Sequence, residues 1–120
     1  MKSALVALLF ASGCARPLDA AIVAVNAARD VGASAHDAIE AACVPAYRAA
    51  TDKTAVAAVD ARCVPAERAY RVYRAAHATA VVAVQRAQLG LATEADALAA
   101  ARAVGQAGAE LAATVRAVAQ

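Results

Sequence analysis

Three cysteines carry most of the reactive chemistry in this 120-residue chain. A cysteine sulfur can be acylated, oxidised to a disulfide or, as thiolate, bound to a metal. Cys14 closes the run Ala11-Ser12-Gly13-Cys14, directly after an apolar stretch. Cys43 and Cys63 open twin phrases, Cys43-Val44-Pro45-Ala46 and Cys63-Val64-Pro65-Ala66. The only two histidines, His36 and His77, lie on the order of 10 Å apart along the helix axis in the register that the apolar pattern supports, too far to share a metal. His36 and Glu40 share a helix face, but two ligands of that kind fall short of a metal site. His36 is expected instead as a polar group of the helix seam, beside Tyr70. Ser34, His36 and Asp37 fall within one helical turn, too close for the geometry of a Ser-His-Asp triad. The chain has no Gly-rich phosphate loop and no nucleophile elbow. The expectation is therefore no catalytic residue, no cofactor, no metal, no small-molecule substrate, and a protein that is not an enzyme.

Arg62, Arg68, Arg71 and Arg74 make the densest basic cluster. Arg68 and Arg71 share a helix face, with Arg74 one turn further. Such a face is a candidate contact for anionic lipid or lipopolysaccharide phosphates. The plainer reading is a solvated helix surface balanced in part by Asp60 and Glu67. A net charge of only +2 gives no reason to expect nucleic-acid binding.

The elements that hold these residues begin with an N-terminal address. One lysine, Lys2, precedes the apolar run Ala4-Leu5-Val6-Ala7-Leu8-Leu9-Phe10-Ala11. The run fits the apolar region of a secretory signal and is far short of the roughly 20 residues needed to span a bilayer. Together with Ser12, Gly13 and Cys14 it resembles the lipobox signal of small bacterial or phage lipoproteins. Ala11 departs from that pattern, in which leucine is usual. The resemblance implies that segment 1–13 is a signal peptide, that Cys14 carries the lipid, and that segment 14–17 is a short membrane tether. More than one acyl chain makes such anchoring stable. By the same resemblance, Ala15 after the cysteine favours the outer membrane of a Gram-negative cell. An ordinary cleaved signal, leaving a periplasmic or secreted protein, and an uncleaved apolar N-terminus are the alternatives.

Composition limits the core. Hydrophobic residues make up 62% of the chain, yet roughly a third of it is alanine, and aromatics are only 3%. Alanine is the best helix former and a weak core filler. One small helical domain over 18–120 is expected, with a thin core that needs a staple, a membrane or self-association.

Export places Cys43 and Cys63 where a disulfide can form. In one straight helix they would sit roughly 30 Å apart, whereas a disulfide needs Cα atoms within about 7 Å. Bonding therefore requires a reversal between them. Thr51-Asp52-Lys53-Thr54 is the weakest helical stretch, and Thr54 is a candidate cap for a second helix. Two rows with steps of three and four flank it. One includes Leu18, Ile22, Val25, Gly32, Ile39 and Cys43; the other includes Val59, Cys63, Tyr70, Tyr73, Ala80 and Val84. Folding about Lys53 sets Cys43 against Cys63, His36 against Tyr70, Gly32 against Tyr73 and Arg29 against His77. Large residues then mostly meet small ones. Pro45 and Pro65 oppose this layout. The rival arrangement starts new helices at each proline and leaves the cysteines free or intermolecular.

Gly90 reads as a helix stop, and Thr93-Glu94-Ala95-Asp96 as the cap of a third helix. Its apolar stripe is Leu98, Ala101, Val104, Gly108, Leu111, Val115 and Val118. The fold expected is all-α: a long antiparallel helical hairpin, disulfide-stapled, with a third C-terminal helix, the helices spanning about 18–50, 55–88 and 93–119. The function expected is a spacing, assembly or interaction role at an envelope membrane, with an envelope protein or a second copy as partner. The alternative is a phage- or host-encoded binding module that blocks or modulates an envelope receptor or transporter.

Overall fold

The computed structural model describes residues 16–119. Cys14 and the expected signal segment lie outside the described residues. Three helices follow one another: α1 (Pro17–Ala49), α2 (Lys53–Gln88) and α3 (Glu94–Val118). α1 and α2 form the long antiparallel hairpin that the apolar rows predict, and α3 packs along it. The body measures 56 × 29 × 16 Å.

α1 opens with Pro17 at its first turn, where a missing amide hydrogen is harmless. It then runs through Pro45, and α2 runs through Pro65. The rival layout, with helices starting at these prolines, does not occur. Both prolines are exposed, on the outer face of the hairpin, where water can reach the carbonyl that each deprives of its amide partner. The reversal between the helices also differs from expectation in one detail. Asp52, and not Thr54, caps α2, its carboxylate accepting from the Ala55 amide at 2.8 Å. Aspartate is the stronger cap and adds a negative charge at the positive end of the helix, so α2 starts two residues early.

At its far end α2 closes in a Schellman motif. The Leu91 amide donates to Arg86 at 2.8 Å, the Gly90 amide to Ala87 at 3.1 Å, and Gly90 takes φ +73°. α3 then opens with a reciprocal capping box. The Asp96 amide donates to the Thr93 hydroxyl, and the Thr93 amide to the Asp96 carboxylate.

The register is the expected one. Cys43 and Cys63 are bonded, with Cα atoms 5.9 Å apart. Tyr73 packs on Gly32, where a Cβ would lie only 2.8 Å from Cε1 of the ring. Gly108 of α3 approaches the other edge of the same ring. Gly105 faces open space and serves no close approach. On α3 the buried residues are Ala97, Ala101, Val104, Ala107, Leu111 and Val118, while Leu98, Gly108 and Val115 are half-buried. The stripe is thus rotated by one residue at two places. Leu111, Val104 and Ala97 are the most deeply buried on α3, and Gly108 beside Ala107 makes room for the Tyr73 ring.

α3 starts beside the start of α1, with Arg16 Nη2 3.6 Å from Glu94 Oε1. Its 25 residues reach about 37 Å, against about 50 Å for the 33 of α1. The third helix therefore ends near the level of the disulfide, and beyond it the hairpin continues as two helices. Among the described residues no helix is long and apolar enough to cross a membrane.

Candidate functional site

Side chains of mixed chemistry gather on the face of the hairpin that α3 leaves open. A groove of about 280 Å³ is lined by α1 and α2 alone, with His36, Glu40 and Tyr47 on one wall and Tyr70, Arg71 and Arg74 on the other. Helical spacing places them. His36, Glu40 and Tyr47 recur at steps of four and seven on α1, while Tyr70, Arg71 and Arg74 fall within five residues and roughly one turn of α2.

The His36 ring lies 4.9 Å from that of Tyr70, tilted by 43°, and the Arg74 guanidinium stands 5.9 Å from the Tyr70 centroid. The stack His36–Tyr70–Arg74 is thus a cation–π arrangement flanked by an aromatic contact. Tyr47 donates its hydroxyl to Asp60 across the hairpin at 2.6 Å. That hydrogen bond, with some burial and the charges of Asp60 and Glu67, raises the Tyr47 phenol above its ordinary value. Arg71 stands 3.9 Å from Glu67 one turn earlier.

His36, Asp37 and Glu40 bring their ligand atoms within 4.8 Å of one another. The spacing of His36 and Glu40 is visible in sequence; Asp37 joins them through the structure. The three do not converge on one ion. Nδ1 faces Asp37 at 4.0 Å and Nε2 faces Glu40 at 3.5 Å, so the two carboxylates meet opposite edges of the imidazole. An ion on either nitrogen gains one carboxylate from this group, fewer than a metal centre needs.

The three arginines of the proposed anionic contact do not all line this groove. Arg71 and Arg74 do, one near Glu67 and the other over Tyr70. Arg68 is exposed on α2 and lies outside the groove lining. With Glu40 and Glu67 interleaved, the groove carries balanced charge.

His77 and Tyr73 act inward. His77 Nε2 is 3.0 Å from the Val25 carbonyl, and the Tyr73 hydroxyl donates to the Ala28 carbonyl. Both hydrogen bonds tie α2 to the backbone of α1. Arg29, expected opposite His77, is exposed. Its layer is completed by a backbone acceptor, which no pairing of side chains could reveal. Burial raises the Tyr73 phenol above its ordinary value.

No protein-family model matches this chain, and neither a curated protein nor a solved structure matches it.

Proposed function

We propose that this chain is a lipid-anchored, non-enzymatic protein of the cell envelope, tethered through Cys14, that acts as a spacer or assembly element at the membrane surface. The observation that carries the reading is the shortness of the link. α1 begins at Pro17, so only Ala15 and Arg16 separate Cys14 from a stapled helical rod 56 Å long. An acyl anchor at Cys14 passes almost directly into rigid structure and leaves little slack for a flexible leash. Partners of this reading are the membrane, through the anchor, and an envelope protein or a second copy at the distal tip.

Metabolic labelling with a fatty acid tests it. The full chain is expected to take up label and to fractionate with membranes, and the Cys14→Ser chain to do neither. A full chain that acquires no acyl mass overturns the anchor.

The second reading, a module that blocks an envelope receptor or transporter, draws on the tip beyond α3. There Val44, Tyr47, Val56 and Val64 remain about two-fifths exposed. Crosslinking from these positions in the native envelope separates the two. A single receptor adduct favours the binder, and adducts with copies of the chain or with no fixed partner favour the spacer.

A further inference from the structure

The most exposed large apolar side chains in the described residues are Leu89 and Leu91, at 73% and 62%. They flank Gly90 in the turn between α2 and α3. A Schellman closure usually buries its outer apolar residue against the last turn of the helix. Here the position that Leu91 would pack on is Arg86, which instead reaches the Leu91 carbonyl with Nη2 at 3.4 Å. Both leucines are left pointing away from the core, held by a turn whose backbone is fixed by two hydrogen bonds.

The place of this turn gives the pair a meaning. The turn sits at the end of the rod where α1 begins, as the Arg16–Glu94 contact at 3.6 Å requires. From Cys14 to Pro17 the chain can reach about 10 Å at full extension. We propose that the Leu89-Gly90-Leu91 turn is a second membrane contact, seated in the lipid interface beside the anchor, and that it stands the rod on end. This rests on the proposed acylation of Cys14. The contact is apolar in character, since the nearby Arg16 and Arg86 are offset by Asp19, Glu94 and Asp96.

An end-on stance has a direct consequence for the arginine face. Arg74 and Arg68 lie roughly 20 and 30 Å up α2 from Gln88. Those distances exceed the screening length of about 8 Å at physiological salt. Upright, the arginines do not meet the leaflet that holds the anchor. Lying flat, they can, and Leu91 then loses its fixed place in the lipid.

The chain has no tryptophan, so single insertions report cleanly. Full-length Leu91→Trp and Val56→Trp chains are reconstituted in phosphatidylcholine vesicles with brominated acyl chains, and the mass at Cys14 is read on the same samples. Both positions are exposed, and both variants carry the same interface-seeking ring. The expected result is a blue shift and a several-fold loss of emission for Leu91→Trp, with Val56→Trp unquenched. An acylated protein with an unquenched Leu91→Trp overturns the contact and leaves the anchor standing. Equal quenching at both positions shows a flat stance and overturns it too. A chain without acyl mass but with Leu91→Trp quenched removes the anchor and supports the contact. Without acyl mass or quenching, both fall.

Discussion

The body and the tip of this rod are held by different means. In the body, three helices converge on Tyr73, Ala80, Val84, Val104 and Leu111, all nearly or fully buried. Beyond the disulfide only two helices remain, and Val59 is the buried side chain of that stretch. A two-helix segment surrounds few of its own apolar residues, and Val44, Tyr47, Val56 and Val64 stay in partial contact with water there, as the outward-facing Val23, Val31, Val72 and Val82 do along the body. The covalent bond sits at the level where the third helix gives out. Packing holds the body; at the tip a cross-link restricts the unfolded chain and the Tyr47–Asp60 hydrogen bond adds a local tie.

The largest effect should come from the body. Tyr73→Ala removes the ring that fills the space between Gly32 and Gly108, and should destabilise the chain by about 3–5 kcal/mol. Denaturant unfolding followed by helical signal measures it. If amides of the tip then keep their exchange protection while those of α3 lose it, body and tip are separate units. Equal loss would make them one.

Next is the staple. Cys43→Ser with Cys63→Ser should cost about 3 kcal/mol, the chain-entropy value for a loop of this length. Because the bond acts on the unfolded chain, hydrogen exchange should show the loss in the most protected amides of all three helices. A loss confined to the last turns of α1 and the first turns of α2 would instead show that the bond acts as a local tie at the tip.

Smaller, and opposite in sign, are two glycine substitutions. Gly32→Ala places a methyl 2.8 Å from the Tyr73 ring and should destabilise by about 1–3 kcal/mol. Gly105→Ala meets nothing within 4 Å in the same body and should stabilise by about 1 kcal/mol through helix propensity. Thermal melting of the two variants checks the sign difference.

The smallest effect is in alkali. Both Tyr47 and Tyr73 have phenols raised above 10.0, the first mainly by donating to Asp60 and the second by burial. A folded-state value above the unfolded one means stability is intact below pH 10 and falls as the pH rises through it. Tyr73→Phe should remove most of that alkaline dependence. Tyr47→Phe should change it little, because solvent screens the exposed pair at the tip. Urea midpoints from pH 8 to pH 11 test this.

Much of this architecture can be read from residue spacing, because a hairpin has one free parameter, its point of reversal. Once Lys53 is the centre, Cys43 must face Cys63 and Gly32 must face Tyr73. Gly90 and Thr93 mark their turn through local backbone chemistry alone. The features that spacing misses depend on surroundings that a single row of residues does not contain. Pro45 and Pro65 are tolerated because their faces look outward. Ala97 is buried where the stripe has Leu98, and Ala107 is buried beside Gly108, which itself lies against the Tyr73 ring. The partners of Tyr73 and His77 are main-chain carbonyls, which have no letter in the sequence. The groove of His36, Tyr70 and Arg74 is half visible there, as a seam pair without its cation. The biological role has no comparable signature, since balanced charge and a stacked aromatic do not name a ligand.

The Tyr73 ring, edged by a glycine on each side, binds the histories of three helices together. Gly32 cannot enlarge without shifting that ring, Gly108 lacks only a few tenths of an ångström of the room a methyl needs, and the ring cannot shrink without leaving a hole that both glycines are too small to fill. Single steps at Gly32 or Tyr73 lead downhill, so change at that pair must be concerted. A swap such as Tyr73→Leu with Gly32→Ala should lose less stability than its parts added together. A divergent descendant of this fold would carry that trade as a correlated pair across α1 and α2.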